Sequence, residues 1–387
     1  MAGPPTAGPV AGRAGELAAV AARIGPRFAR REPRSRAIGY VRGLLSHTGR
    51  KNGWQLAEHL GDPTPDGVQH RLARADWDAD AARDGLIGYV AEQLGDPAGV
   101  LVVDETGFLK KGGRSAGAAR PYPGTAGRVE NGQVGVFLGY AAPRGRALID
   151  RALYLPKGWA AGPARRGRAG IPQDVGFATR LVLARRAVER AAAAGVPAGW
   201  VTADAAYGSD SRSRSALEGL GLGYVLGVRA DSAAWVGARP ARARALLAEG
   251  PAGGWRRLSC GGGAKGPRLY DWALRRTNCP EPGRYARRRL IRRSVSRPEQ
   301  VADFACGGPP GTALAGLARV AGVRWSVEGC FELAKGGCGL AGYEVRSWVG
   351  WHRHVTLSLW ALAVVAVVRS RVPAPARANK GRRAWCR

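Results

Sequence analysis

Apolar residues recur at helical spacing from Ala14 to about Asp96, and then the period changes. Leu17, Val20 and Ile24 share one helical face, and Ile38, Val41, Leu44 and Leu45 share a second. Lys51 to Leu60 and Asp66 to Leu72 predict two short helices around the Gly61-Asp62-Pro63 turn, and Asp80 to Leu94 predicts a fifth. Val100-Leu101-Val102-Val103 is a continuous apolar run, mostly β-branched, which predicts a buried strand ending in Asp104 and Glu105 with Gly107 as the turn out. Val134 to Ala141 and Ala147 to Leu155 flank Pro143-Arg144-Gly145-Arg146, a hairpin pattern. Asp174 to Ala194 has helical spacing and stops at Gly195. Gly199-Trp200-Val201-Thr202-Ala203 is a second strand that finishes in an acid, Asp204. Tyr207-Gly208 then leads into a helix to about Leu220, and Gly223 to Val228 returns as a strand. Strand, hairpin, helix, strand, helix, strand predicts a mixed α/β sheet.

Residues 229 to about 310 break this alternation. Gly250 to Gly266 is turn-rich, Arg268 to Leu274 and Arg287 to Val295 read as strands, and Pro280, Pro282, Pro298, Pro309 and Pro310 punctuate the stretch. Helical spacing resumes near Thr312 and runs to about Lys335, placing Arg324, Glu328, Phe331 and Lys335 on one stripe. The run Val355 to Val368 is too short for a membrane span and reads as a buried helix. The Pro-, Gly- and Ala-rich start and the Pro-, Ala- and Arg-rich end from Arg371 have no such periodicity and read as disordered.

Charge changes the picture. The 387-residue chain has 60 Lys and Arg against 29 Asp and Glu, a formal charge of +31. Self-repulsion of that size opposes compaction unless a polyanion offsets it, so nucleic acid is the leading partner class. Arginines dot the first helices (Arg27, Arg30, Arg31, Arg34, Arg36, Arg42, Arg50), which suits a DNA-binding module. A denser run, Arg284, Arg287, Arg288, Arg289, Arg292, Arg293 and Arg297, surrounds Leu290 and Ile291 and predicts a phosphate-facing strand, with Arg287 and Arg289 as contacts. The six cysteines form no Cys-x-x-Cys pair and do not cluster with histidine, which argues against a zinc site or disulfide framework and fits a reduced, cytosolic protein.

Two strand-end aspartates and one helical glutamate, Asp104, Asp204 and Glu328, form a possible three-carboxylate set. Hard divalent cations take oxygen ligands, and two of them can activate water and stabilise the leaving oxygen of a phosphodiester. The strand order permits the two aspartates to share a sheet edge but does not require it.

These residues carry a resemblance. The chain resembles the DDE transposases of bacterial insertion sequences, in the branch with a Tyr-x2-Arg-x3-Glu-x6-Lys signature. Arg324, Glu328 and Lys335 match that spacing. Val102 to Gly112, Gly124 to Asn131, Trp200 to Asp204 and Tyr343 to Trp348 also resemble the family, in the right order, and the likeness spans roughly Arg27 to Arg369. The resemblance implies an α/β fold with an RNase H-like core over 98–228 and 311–370. It also implies a β-rich insertion over 229–310, and the residue pattern adds a helical DNA-binding domain over 14–97, a lead (1–13) and a basic tail (371–387).

Asp104, Asp204 and Glu328 would hold two Mg²⁺ ions, with Mn²⁺ as a substitute, and Arg324 and Lys335 would contact phosphates of the transposon end. The implied partners are double-stranded DNA, as element ends and target, and further copies of the chain on that DNA. No membrane partner is implied, and the implied setting is the bacterial cytoplasm at the nucleoid. The implied reaction is cleavage at the terminal repeats, then attack of the freed 3′-hydroxyls on target DNA. Glu332 is the rival for third acid but stands at the wrong distance from Arg324 and Lys335. Glu105, next to Asp104, would point to the other face of its strand and falls outside the set. The sequence departs from the signature at Ala321, where the Tyr would stand, and small residues at Ala205, Ala206, Gly329, Ala341 and Gly342 replace larger or polar ones.

Overall fold

The structure is a computed structural model that describes residues 8–28, 30–120, 131–229, 231–242, 254–263, 266–279 and 284–372. The chain opens with helices α1 (Gly8–Ile24), α2 (Arg31–Leu44), α3 (Gly53–His59), α4 (Asp66–Ala73) and α5 (Ala79–Leu94). Side-chain caps set two of their starts. Asn52 accepts from the Gln55 amide at 3.0 Å, and Asp78 accepts from the Asp80 amide at 2.7 Å, each satisfying an orphan donor of the first turn. Helix α1 begins at Gly8, so residues 8–13 belong to a helix rather than to the expected lead; residues 1–7 lie outside the described residues, as do 124–130 of the Gly124–Asn131 motif and the tail from 373.

The sheet strands are β1 (Val100–Leu109), β2 (Gly132–Ala142), β3 (Gly145–Leu153), β4 (Trp200–Ala203) and β5 (Gly223–Val228). Further along come a small β6 (Ala233–Val236) and β7 (Arg239–Arg242) hairpin, then β8 (Arg256–Gly263), β9 (Gly266–Arg276), β10 (Ala286–Ser294) and β11 (Val301–Gly308). Among the described residues nine of these form one sheet in the order β3-β2-β1-β4-β5-β11-β10-β9-β8. Strands β1, β4 and β5 run parallel; β2 and β3 fold back as a hairpin on one side, and β11 is antiparallel to β5 on the other. The mixed α/β sheet expected from the period changes is therefore present. Strand β11 falls between two proline-punctuated turns and lies outside the strands that the pattern predicts. Through it the 229–310 segment continues the main sheet.

Between the strands lie helices α6 (Lys157–Ala160), α7 (Pro163–Ala169), α8 (Arg180–Ala193), α9 (Ala205–Gly208) and α10 (Ser211–Gly219). After β11 come α11 (Leu314–Val323), α12 (Trp325–Gly337) and α13 (Trp348–Arg371). The predicted continuous helix from Thr312 to Lys335 is in fact two helices meeting at Arg324. Helix α13 contains the long apolar run. It is long and apolar enough to cross a membrane, yet 78% of its most apolar window is buried within the protein, against β3, α5 and α2. Trp351 and Trp360 on it are fully enclosed, and the Trp360 indole donates to the Ala82 carbonyl at 3.0 Å.

The rear of the sheet depends on one close approach. A Cβ placed on Gly322 of α11 would stand 1.8 Å from the Cys260 carbonyl oxygen of β8, a backbone atom that cannot swing away. Gly322→Ala is therefore expected to push α11 off β8 and to cost about 1–3 kcal/mol in urea unfolding, the usual range for overpacking. An unchanged unfolding midpoint would mean that this contact is looser than it stands here.

Candidate active site

Asp104 lies inside β1, not at its end. The strand pairs with β2 as far as Leu109, whereas its pairing with β4 stops at Val103↔Ala203. The crevice therefore opens because β4 ends, and Gly107 is absorbed into the strand opposite Val134 rather than turning the chain. The parallel register puts Asp104 and Asp204 at adjacent positions just beyond the last pair. Asp204 starts α9, its carboxylate accepting from the Ala206 amide at 2.9 Å. Asp104 accepts from the Glu105 amide at 2.8 Å.

Helix α12 supplies the rest. Phe331 packs edge-on against Phe137 with ring centroids 5.3 Å apart, which seats the helix over β2 and β1. The stripe expected from spacing then reaches β1 at two points. Arg324 lies 3.7 Å from the Asp104 carboxylate and donates to Glu328 at 3.1 Å, while the Lys335 ammonium donates to the Gly107 carbonyl at 3.2 Å. Glu328 is half exposed and Asp104 is largely buried. Burial pushes Asp104 up to about 6; the neighbouring Asp204 charge adds to this, and the Glu105 amide and Arg324 oppose it. Burial likewise lowers Lys335.

Asp204 and Arg324 also line a cleft of about 540 Å³, together with Gly227, Arg292, Phe304 and Trp325 among others. Ala321, at the signature's Tyr position, is buried on its wall. A Cβ on Gly329 would meet nothing within 4 Å, so the loss there leaves no packing defect.

Arg287 and Arg289 do not join this site, and their expected phosphate-facing role is corrected by their surroundings. Strand β10 is interior to the sheet, between β11 and β9, so neither of its edges is free. Arg287 binds Glu218 through two bonds of 2.8 and 2.7 Å. Arg289, 3% exposed, faces Asp303 at 3.4 Å and donates to the Ser232 carbonyl. Arg288 is committed to carbonyls of Pro310 and Thr312. Arg292 alone among these four reaches the cleft, sandwiched with Tyr270 and Trp325, whose rings stack at 8°.

Could the acids hold a divalent cation? Their oxygens are hard donors, and two carboxylates crowded at a partly desolvated position are the arrangement a cation relieves. Among the described residues no three Asp, Glu, His or Cys side chains are grouped closely enough to hold a metal ion. Asp104 and Asp204 stand at adjacent register positions, and Arg324 links Glu328 to Asp104.

The model of the DDE superfamily endonuclease family matches residues 23–256, well over half of the chain. The chain belongs to that family. Its matched part contains Asp104 and Asp204; Glu328 lies beyond it. A curated relative, the probable transposase for insertion sequence element IS701 of Microchaete diplosiphon, is 27% identical over 195 residues. That match covers 49% of this chain and 47% of the relative, so the chain spans about half the length of the curated relative it matches. Members of this superfamily use divalent metal ions.

Proposed function

We propose that the protein is a DDE transposase of an insertion sequence that cuts its element's ends and joins them to target DNA. The observation that carries this reading is the adjacency of Asp104 and Asp204 where β4 ends, with Arg324, itself paired to Glu328, reaching the Asp104 carboxylate. The order β3-β2-β1-β4-β5, with two antiparallel strands followed by three parallel ones, supports an RNase H-like core. In this reading the helices before β1 hold the terminal inverted repeats, and the β-rich segment between β5 and α11 widens the basic face around the cleft.

Divalent cations, Mg²⁺ by preference and two in number, would polarise the scissile phosphate and activate the attacking water or 3′-hydroxyl. Asp104 and Asp204 would hold these ions, with Glu328 on α12 as the third acid. Arg324, which now pairs with Asp104 and Glu328, would contact a phosphate of the bound DNA. Lys335 holds the β1 edge through the Gly107 carbonyl and keeps α12 in register with Asp104. A homodimer or higher assembly on DNA would bring two ends together.

The test is incubation with labelled inverted-repeat DNA and a target plasmid, with Mg²⁺ or with EDTA. Metal-dependent joined products support the transposase. Cleavage without joining points to a nuclease, and binding without cleavage to a DNA-binding derivative. Arg324→Ala is expected to weaken binding to end DNA and to lower the slope of log affinity against log salt by about 1, as for a single lost phosphate contact. An unchanged slope in a salt titration would remove Arg324 from the DNA interface.

A further inference from the structure

We propose that Glu105 and Tyr207 are positioning residues that lock the turn carrying Asp204 to the strand carrying Asp104. The inference rests on the reading of these two aspartates as a shared metal-binding pair. The backbone ladder between β1 and β4 ends at Val103↔Ala203, one residue short of both acids. Directly after Asp204 comes α9, a helix of four residues, and a single turn of helix has little stability of its own. Something else must hold Asp204 opposite Asp104.

Three contacts do so. Gly208 of α9 lies directly on β5, where a Cβ would come within 1.9 Å of the Gly227 carbonyl oxygen. Arg214 donates to the Gly208 carbonyl at 2.7 Å. The third contact crosses to β1: the Tyr207 hydroxyl donates to the Glu105 carboxylate at 3.0 Å. Glu105 is the next residue after Asp104 and so emerges on the opposite face of the strand, away from the cleft. There its other oxygen takes the Arg180 guanidinium at the start of α8. Tyr207 is 4% exposed, and its phenol is held above its ordinary value first by burial and then by Glu105, so it remains a donor at neutral pH.

A bond from a buried hydroxyl to a carboxylate is among the stronger kinds, and it joins the residue after the first acid to the third residue after the second. Gly208 and Arg214 fix the turn to β5 and its neighbours; the Tyr207–Glu105 bond fixes it to Asp104. Groups that orient metal ligands in this way typically matter about 10–100-fold for metal affinity or activity.

The test compares full-length wild type with Tyr207→Phe, Glu105→Ala, Glu105→Gln and the Tyr207→Phe/Glu105→Ala double variant. Three readouts are taken: Mn²⁺ binding followed by water-proton relaxation, amide exchange of the peptide over 204–208, and the metal concentration giving half-maximal cleavage of end DNA. Tyr207→Phe and Glu105→Ala are each expected to weaken Mn²⁺ binding about 10–100-fold. Exchange should quicken over 204–208 while DNA binding in EDTA stays as in wild type. The double variant should be no worse than the poorer single one, because both remove one bond. Glu105→Gln, which keeps an acceptor for the phenol, should recover most of the affinity and covers the case in which Glu105→Ala fails to fold.

Unchanged Mn²⁺ affinity in a folded Tyr207→Phe protein overturns the proposal, as does additive loss in the double variant. A wild type that binds no Mn²⁺ overturns it as well. A wild type that binds Mn²⁺ in this Tyr207-dependent way but leaves end DNA uncut sustains it and instead removes the transposase reading.

Discussion

Asp104→Asn is expected to lower metal-dependent cleavage of end DNA by at least about 10³-fold while leaving a folded protein that still binds DNA. The size comes from the work the carboxylate would do. Cation stabilisation of developing charge on a phosphoryl oxygen is worth several kcal/mol, and about 4 kcal/mol corresponds to three powers of ten in rate. Asparagine keeps the shape of the side chain and retains an acceptor for the Glu105 amide, the one hydrogen bond that Asp104 accepts from its own backbone neighbourhood. It removes a charge that is mostly buried beside Asp204, so the native state loses a repulsion rather than a support. Arg324 keeps its partner in Glu328. Thermal unfolding should accordingly be no lower than wild type, and gel shift in EDTA should be unchanged. Cleavage within tenfold of wild type in a folded Asn variant would sink the assignment of Asp104 to the reacting centre. A fall in melting temperature together with lost cleavage would leave only a structural role.

The parts of this site that are legible in the sequence are those governed by short-range rules. Two apolar runs ending in acids read as strands because β-branched residues and burial on both faces say so locally, and both acids stand at the opening beside β4. The stripe from Arg324 to Lys335 is given by helical spacing, and its ends do meet β1, although the helix is interrupted at Arg324. Pairings between distant strands leave no such trace. Arg287 and Arg289 alternate as on a half-exposed strand, and nothing local tells an edge from an interior position. Once β11 inserts between β5 and β10, those guanidiniums find Glu218 and Asp303 instead of solvent. Glu105 shows the same division. Alternation along β1 correctly turns it away from Asp104, but its partners Arg180 and Tyr207 stand 75 and 102 residues further on, separated by a helix and a strand. The single aromatic signal, Tyr207 before Gly208, reads in the sequence only as a turn.

Arg151→Ala is expected to cost about 1–3 kcal/mol of stability, the range for leaving buried acceptors without their donor, since the Asp80 carboxylate itself is exposed. Arg151 lies on β3 and is 2% exposed. Each of its three nitrogens donates: one amino group to the Asp80 carboxylate at 2.7 Å, the other to the Ala79 carbonyl at 3.0 Å, and Nε to the Thr356 hydroxyl at 3.0 Å. Those three acceptors belong to the start of α5 and to the middle of α13, so one side chain fastens the N-terminal helices and the long buried helix to the sheet. Arg83 and Arg190 remain beside the fully buried Asp150, and Arg83 also keeps Asp80 paired, which limits the loss. Arg151→Lys should recover only part of the loss, because an ammonium cannot address three acceptors spread over the edge of a planar fork. Urea unfolding of the three proteins measures both differences, and a cost below about 1 kcal/mol for Arg151→Ala would show that water replaces the fork at little expense. The same measurement bears on the active site. Strand β3 backs β2, and β2 backs β1 along its whole length, so slack at Arg151 should reach Asp104 as a weaker response of cleavage to metal in whatever fraction stays folded.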